Sequence, residues 1–343
     1  MAVVVPKKIL GKQYVIDVGS QHTTVYIKGE GVVLSEPTVV AYRTKSSRNK
    51  SGPVREIIAV GTQALSMKGR TPQNYSVQRP ITGGLITDFE LAEIFFKILL
   101  DQSGVNRFIS RSSAIIGVCA DMTEVAKRAI IEAVAAAGIR DIWLVESCIG
   151  SALGAGLPFQ QVKGSMVVDI GSGTTEIAVL SMGAPIYKRS LKIGGQAMDE
   201  EIIQHIRRNY NLVIGEASAE KVKIEIGSAV DGNNISRTEL LGRDISTGLP
   251  QRIVVGEHEI VQALSVPLKG ILEGIRFAIE SIPPELAGDV MENGITLVGG
   301  VAALRGISHY LQQRLFIPVQ VAENGKNLNI LGLAKLYDDF ELL

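Results

Sequence analysis

The stretch VIDVGS at residues 15–20 decides the fold, because a close copy, VVDIGS, recurs at residues 167–172. In each copy an apolar run ends in a carboxylate, Asp17 or Asp169, and is followed by a Gly-Ser turn and a second apolar run. This pattern is typical of a strand, a tight polar turn and a returning strand. The repeat therefore predicts two related halves, each containing one such β-hairpin.

The turns of these two hairpins carry residue types that bind phosphate and magnesium. Glycine lets backbone N–H groups approach a phosphate closely, and Mg²⁺ keeps several of its waters while one or two carboxylates hold it. We therefore expect a nucleotide between the two halves, with Asp17 and Asp169 holding Mg²⁺ through water. For each carboxylate, the alternative is a side chain that only caps its own turn.

Composition narrows the possible classes of protein. The 343 residues are enough for two domains, and the 35 Lys and Arg residues equal the 35 Asp and Glu residues. A net charge of zero lacks the positive field of nucleic-acid-binding proteins, so nucleic acid is not an expected partner. Mean hydropathy is +0.22, yet no apolar run approaches the roughly 18–20 residues that cross a bilayer. Two cysteines, Cys119 and Cys148, suit a reduced cytosolic interior, and residues 1–10 do not resemble a secretion signal.

The remaining chain alternates strand and helix patterns, which predicts partly parallel sheets. Thr87 and Glu90 have capping-box spacing, so a helix is expected to begin with Thr87 as its N-cap. Further helices are predicted over residues 124–137, 199–208, 219–227 and about 259–281, strands over 114–119, 142–145 and 295–298, and a strand-rich insert near 235–256. After the last of these strands, a Gly-Gly turn is expected to lead into another helix.

Three motifs in order, DVGS from Asp17, DIGSGTT from Asp169 and LVGG from Leu297, resemble the actin, Hsp70 and sugar-kinase superfamily. The segments between them resemble the MreB family of bacterial actins more narrowly. They read VVLSEPTVVA at residues 32–41, IRRNYNLVIG at 206–215, KIEIGSA at 223–229 and PPELA at 283–287. The resemblance extends over roughly residues 12 to 338, and several of its motifs lie outside the nucleotide motifs.

The resemblance implies an α/β, actin-like fold: a duplicated ribonuclease-H-type fold whose two halves, of two subdomains each, surround a nucleotide cleft. The expected subdomains are IA at residues 1–34, 84–158 and 326–343, IB at 35–83, IIA at 159–197 and 263–325, and IIB at 198–262.

The resemblance also implies a function. ATP or ADP with Mg²⁺ are the expected cofactors, and antiparallel double filaments would govern cell shape or, in a wall-less cell, shape-driven motility. Expected partners are further copies of the chain, MreB paralogues and the inner surface of the cell membrane, with the protein in the cytoplasm or on that surface. A small-molecule kinase of the same superfamily is the alternative function, although the inserts are small and no extra candidate base stands out.

Site residues follow from the resemblance position by position. Glu220 and Lys223 are expected to reach the ribose and base, unless they are an ordinary exposed helical pair. The backbone or side chains expected at the phosphates and the adenosine are those of Gly19, Ser20, Gln21, His22, Gly171, Ser172, Gly173, Thr174, Gly299, Gly300 and Val301.

Ser147 is the main departure from the family pattern. The family normally has two consecutive glutamates at 146 and 147, and the second helps position and polarise the attacking water. Glu146 is not expected to substitute, because adjacent residues of an extended chain point in opposite directions. Losing such a group typically costs about 10²–10⁴ in rate, so we expect slow hydrolysis of ATP. Thr174, the other water-positioning residue, is retained.

Other departures affect the nucleotide pocket and the membrane surface. His22 stands where asparagine is usual, Gln196 where an acidic residue is usual, and Val301 where a third glycine is usual. His22 is expected either to titrate near neutral pH or to hydrogen-bond as a neutral side chain. Val301 is expected to narrow or reshape the adenosine side of the cleft, which affects nucleotide affinity or the choice of base. A loop resembling the family's membrane-inserting loop is either a weak membrane contact or an ordinary surface loop; its apolar residues are Val105, Phe108 and Ile109.

Overall fold

The computed structural model describes residues 11–45, 54–105, 112–232 and 236–338. They fall into two compact units, the first drawn from Met1–Gly154 and Asn329–Leu343 and the second from Ala155–Leu328. No helix among the described residues is long and apolar enough to span a membrane.

Strands and helices alternate along both units. In chain order the strands of the described residues are β1 (Gln13–Val18), β2 (His22–Ile27), β3 (Gly31–Pro37), β4 (Val40–Lys45), β5 (Val54–Val60), β6 (Tyr75–Gln78), β7 (Ile81–Thr82), β8 (Leu85–Ile86), β9 (Ser113–Val118), β10 (Asp141–Glu146), β11 (Ser165–Ile170), β12 (Thr175–Ser181), β13 (Ala184–Leu191), β14 (Leu212–Val213), β15 (Arg237–Asp244), β16 (Pro250–Gly256), β17 (Ile295–Val298) and β18 (Val319–Val321). The α-helices are α1 (Thr62–Met67), α2 (Phe89–Gln102), α3 (Glu124–Ala136), α4 (Ser147–Gly154), α5 (Gly195–Tyr210), α6 (Glu216–Ile226), α7 (Glu257–Glu280), α8 (Pro284–Asn293), α9 (Ile307–Leu315) and α10 (Leu328–Lys335).

Each unit contains one five-stranded sheet, and the two sheets have the same topology. The strand order is β3-β2-β1-β9-β10 in the first unit and β13-β12-β11-β17-β18 in the second. In both, the first three strands are antiparallel neighbours and the last two run parallel to the central strand, β1 or β11. The duplication predicted from the sequence is therefore confirmed in the topology of the sheets.

The duplication extends to the register of the predicted hairpins. Asp17 pairs with Thr24 across β1 and β2, and Asp169 pairs with Glu176 across β11 and β12. Both members of the second pair lie 152 positions after their counterparts in the first. The two carboxylates therefore occupy equivalent places, one residue before the end of the central strand.

Each unit has its own apolar core. In the first unit, Tyr14 and Ile16 of β1 pack with Phe95 and Phe96 of α2 and with Ile116 of β9, all fully buried. In the second unit, apolar residues of β11 and β12 share one core with those of α5, α6 and α7. All six residues of β9 are buried, as expected for a central parallel strand that is covered on both faces.

Two three-stranded sheets extend these units. Their strand orders are β5-β4-β6 in the first unit and β14-β15-β16 in the second. They lie within the residue ranges expected for subdomains IB and IIB, whose boundaries stay a prediction.

The prediction of Thr87 as an N-cap is wrong. Asp88 is the N-cap of α2, and its carboxylate accepts a hydrogen bond from the N–H of Leu91. Thr87 is held by Pro80 instead, because its N–H and its hydroxyl both donate to the Pro80 carbonyl, at 2.9 and 3.2 Å. The helix therefore begins one residue later than its capping-box spacing indicates.

Other boundaries also differ from prediction. Helices α5 and α6 begin four and three residues before the predicted starts at 199 and 219, because glycine N-caps, Gly194 and Gly215, precede them. After the Gly-Gly turn the chain first forms a 3₁₀ turn, Gly300–Ala303, and only then α9. The sequence reading did not predict α4, α8, α10, β14 or β18.

Two glycines let α10 cross α4 at very short range. A Cβ atom on Gly332 would overlap the carbonyl oxygen of Gly150, and one on Gly150 would overlap the side chain of Asn329. Lys335 then donates to the Leu153 carbonyl at 2.7 Å, at the end of α4. Because neither glycine can accept a side chain, the returning C-terminal segment has a fixed position on the first unit.

We predict that Gly332→Ala lowers the free energy of unfolding by about 2–3 kcal/mol, because the added methyl overlaps backbone that cannot move aside cheaply. Gly288→Ala is the matched control, since Gly288 lies within α8 with no atom within 4 Å of its added Cβ. The control should raise stability by about 0.5–1 kcal/mol. Denaturant unfolding measures the change in unfolding free energy for both variants. Equal changes would contradict the close approach of α10 to α4.

Candidate functional site

The turn between β1 and β2 depends on glycine at position 19. The Gly19 N–H donates to the carbonyl of His22 at 3.1 Å, which closes the turn. A Cβ atom on Gly19 would lie 2.5 Å from that same oxygen. Any larger residue would therefore open the turn that follows Asp17.

The carbonyl oxygens of this turn are bound within the first unit. Thr38 donates its hydroxyl to the Gly19 carbonyl at 2.8 Å and its N–H to the Gln21 carbonyl at 2.9 Å. Arg79 donates to the Ser20 carbonyl at 3.1 Å. A turn whose carbonyls are held by protein donors is suited to present its N–H groups to an anion.

Two polar side chains of the first unit, those of Ser147 and Asn329, lie beside Gly117, which pairs with Asp17 between neighbouring strands. A Cβ atom on Gly117 would lie 3.1 Å from the hydroxyl of Ser147 and 3.5 Å from Nδ2 of Asn329. Asn329 donates that amide N–H to Asp17 Oδ1 at 3.0 Å. The structure therefore brings Ser147 to the strand edge where Asp17 lies, and it adds Asn329, which sequence reasoning missed.

Glu146 ends β10, whereas Ser147 begins α4. The thiol of Cys148 lies 4.0 Å from Glu146 Oε2, within hydrogen-bonding range for sulfur. That Glu146 does not replace the family's second glutamate stays a prediction, and strand alternation alone does not establish it, because Ser147 is already helical.

The turn between β11 and β12 repeats the first turn. The Gly171 N–H donates to the Thr174 carbonyl at 2.9 Å, which is the equivalent closing bond 152 positions later. The first two residues of α5 hold this turn: Gly195 N–H donates to the Gly171 carbonyl at 3.0 Å, and Gln196 N–H to the Ser172 carbonyl at 2.8 Å. Here too the carbonyls are bound inside the unit.

Two glycines allow close approaches around the second turn. A Cβ atom on Gly194 would lie 2.6 Å from the Gly171 carbonyl, and one on Gly299 would overlap Asp169 Oδ1. Gly299 also has a φ of +89°, which other residues rarely adopt. An added Cβ on Gly300, by contrast, would meet no atom within 4 Å.

Lys223 forms an ion pair that the sequence reading did not predict. Its Nζ lies 2.7 Å from Asp199 Oδ1 and donates to the Gly195 carbonyl at 2.9 Å, and both side chains are about nine-tenths buried. A Cβ atom on Gly195 would lie 3.2 Å from that Nζ and 3.3 Å from Val301 Cγ2. Lys223 and Val301 therefore both pack against the start of α5, beside the second turn.

Burial raises the pKa of Asp199 to about 6, although the Lys223 ammonium opposes this shift and the carboxylates of Glu220 and Glu216 add to it. In an unfolded chain Asp199 would have its ordinary pKa of 3.8. Because the folded pKa is the higher one, protonation favours the folded state. The contribution of Asp199 to stability is therefore fully present below about pH 4 and is lost as pH rises through about 6.

The membrane residues have a mixed outcome. Val105 is 7% exposed and packs in the core of the first unit, so its side chain is not available to a bilayer. Phe108 and Ile109 lie outside the described residues.

The free energy of unfolding of the wild type, minus that of Asp199→Asn, should fall by up to about 3 kcal/mol between pH 4 and pH 7. Asp244→Asn is the control of opposite sign, because hydrogen bonds from Thr247 and Ser246 lower the pKa of Asp244. The difference in free energy of unfolding between the wild type and Asp244→Asn should shrink only as pH falls below about 4. It should stay constant from pH 5 to 7. Denaturant unfolding across this pH range measures both differences. A wild-type minus Asp199→Asn difference that does not change with pH would contradict the raised pKa of Asp199.

Comparison with known proteins identifies the family. The model of the MreB/Mbl protein family matches residues 11–343. The cell shape-determining protein MreB of Escherichia coli strain K12 is 43% identical over 311 residues, which are 90% of this chain and 88% of that protein. MreB5 of Spiroplasma citri bound to ADP has a TM-score of 0.88 at 30% identity, covering 98% of each chain. MreB5 bound to AMPPNP has a TM-score of 0.88 at 31% identity, covering 96% of this chain and 97% of that one. The chain therefore belongs to the MreB/Mbl family of bacterial actins and has the actin-like fold that its sequence predicts.

Proposed function

We propose that this bacterial actin binds ATP or ADP with Mg²⁺ through its two duplicated turns. The observation that carries the proposal is the repeated geometry: the same closing hydrogen bond follows each carboxylate, with the turn carbonyls bound inside each unit. The related MreB5 structures are bound to ADP and to AMPPNP, which supports the same ligand class here.

The residues fit the chemistry of a hydrated magnesium ion. The described residues contain no cluster of three His, Cys, Asp or Glu side chains that could hold a metal. Single carboxylates suit Mg²⁺, which retains waters and binds substrate phosphates. Asp17 and Asp169 would hold the ion through its waters, and the ion would neutralise phosphate charge. The N–H groups of Gly19 to Gln21 and of Gly171 to Thr174 would bind the phosphate oxygens.

The part of the site that contacts the nucleoside would be formed by five residues: Glu220, Lys223, Gly299, Gly300 and Val301. Lys223 acts there chiefly by fixing the start of α5, because it already binds Asp199 and the Gly195 carbonyl. Gly299 keeps the chain close to Asp169 without a side chain in the way.

Hydrolysis of ATP by this chain is slow in this proposal. Ser147 lies beside Gly117 of β9, the residue that pairs with Asp17 of β1. The family usually has a glutamate at position 147, and the hydroxyl of serine is not a general base near pH 7. Thr174 and the backbone donors still support binding and electrostatic stabilisation. Nucleotide affinity would therefore be retained while the rate of phosphate release is low.

We further propose that the protein assembles with itself into cytoskeletal filaments that determine cell shape or shape-driven motility. Its relatives are named as cell shape-determining proteins, which disfavours the small-molecule kinase alternative. Co-assembly with MreB paralogues, a cytoplasmic location and peripheral membrane contact through Phe108 and Ile109 are parts of the same proposal.

Ser147→Glu should raise the rate of phosphate release from ATP by about 10²-fold or more, because it restores a carboxylate that can orient the attacking water. Ser66→Glu, at an exposed position on α1, is the matched control and should leave the rate unchanged. Steady-state phosphate release with ATP and Mg²⁺ measures both. An unchanged rate in a folded Ser147→Glu protein would show that this position does not limit hydrolysis.

Purified protein with ATP and Mg²⁺ should form filaments visible by electron microscopy and sedimentable by ultracentrifugation. Gly194→Ala should reduce the sedimented fraction, because its methyl would lie 2.6 Å from the Gly171 carbonyl and distort the second turn. Gly215→Ala, with no atom within 4 Å of the added Cβ, is the control. Wild-type protein that stays monomeric at high concentration would refute filament assembly.

A further inference from the structure

Asn329 is the residue of the first unit that contacts the proposed magnesium carboxylate from the returning C-terminal segment. Its Nδ2 donates to Asp17 Oδ1 at 3.0 Å, across 312 positions of sequence. A hydrogen bond from a neutral amide holds a carboxylate in one orientation without adding charge. Asn329 therefore acts on the orientation of the Asp17 carboxylate.

The position of Asn329 is fixed by backbone packing. Its side chain is 8% exposed, in the second position of α10. The glycine crossing with α4 sets that helix at contact distance, and the Gly150 Cα approaches the amide oxygen of Asn329 so closely that a Cβ atom there would overlap it. The donor that reaches Asp17 is therefore preorganised and does not depend on a flexible side chain.

Stability does not explain an asparagine at this position. Its Oδ1 is buried and has no hydrogen-bond donor among the described residues. Burying an unsatisfied acceptor costs free energy, and an apolar side chain of similar size would avoid that cost. Such a cost is typical of a polar side chain whose other polar group is needed. In Asn329 that group is the amide N–H, which it donates to Asp17.

We propose that Asn329 is a positioning residue for magnesium: it holds Asp17 in the orientation that receives the hydrated Mg²⁺ ion. The inference rests on the proposed nucleotide and Mg²⁺ binding and extends it to a side chain outside the three nucleotide motifs. Because its role is exerted through Asp17, Asn329 should affect the dependence of ADP binding on Mg²⁺ and not the binding of ADP alone.

The test is ADP affinity of the full chain, measured by isothermal titration calorimetry over a series of free Mg²⁺ concentrations. The Mg²⁺ midpoint is the free Mg²⁺ concentration at which half of the Mg²⁺-dependent gain in ADP affinity is reached. Asn329→Leu should raise this midpoint by about 10-fold and leave the ADP affinity measured in EDTA unchanged. Its thermal midpoint without ligand should change little, because removal of the unsatisfied acceptor offsets loss of the hydrogen bond to Asp17. Asn327→Leu, two residues earlier and exposed, is the matched control and should leave the Mg²⁺ midpoint unchanged.

Two further variants keep the proposal falsifiable. In an Asp17→Asn background, Asn329→Leu should cause no additional change in the Mg²⁺ midpoint. Asn329→Asp keeps the size of the side chain but replaces the donor to Asp17 with an acceptor of like charge, so it should also raise the midpoint.

The failures are distinguishable. If wild-type ADP affinity did not depend on Mg²⁺, the magnesium part of the proposed function would fail and this inference with it. If the wild type depended on Mg²⁺ but Asn329→Leu and Asn329→Asp kept its midpoint, the role of Asn329 alone would be overturned. An equal loss of affinity with and without Mg²⁺ would overturn it too, because it would show a merely structural role.

Discussion

One backbone hydrogen bond, from a glycine N–H to a carbonyl three residues later, is the constraint on which both halves of this protein depend. It closes the turn after Asp17 and, 152 positions later, the turn after Asp169. The bond requires glycine in the first turn, because a Cβ on Gly19 would meet the accepting oxygen. The strand register, the position of each carboxylate and the carbonyls bound within each unit follow from that closure.

The sequence predicted the features that depend on local pattern. Both hairpins, the buried strand β9 and the helices α2, α3 and α7 follow from apolar periodicity and from turn residues, which are properties of a few neighbouring positions. Helix α10 escaped prediction, because six of its eight residues, 328–335, are apolar or small, so no amphipathic pattern marks them. Its place is set by a glycine crossing with α4, about 180 positions earlier in the chain.

The same distinction applies to the site. The carboxylates and glycines were found because they repeat, whereas Asn329 and Asp199 act through partners that are distant in sequence. Asp199 lies 24 residues before Lys223, on a different helix, and only the fold shows that burial and an ion pair link them. A helical spacing of Glu220 and Lys223 could suggest an exposed pair, but it could not reveal that Lys223 is buried against the start of α5.

The departures from the family pattern differ in what they can change. His22 contributes a carbonyl to the first turn, and Gln196 contributes an N–H to the second, so different side chains at these positions leave the hydrogen bonds of the turns intact. At position 147 the role that we propose belongs to the side chain itself, and no backbone group can replace a carboxylate. In the proposed function, nucleotide binding through backbone amides is therefore robust to substitution, while hydrolysis depends on the side chains at positions 147 and 174. A chain with this geometry can lose cleavage of ATP and still hold it.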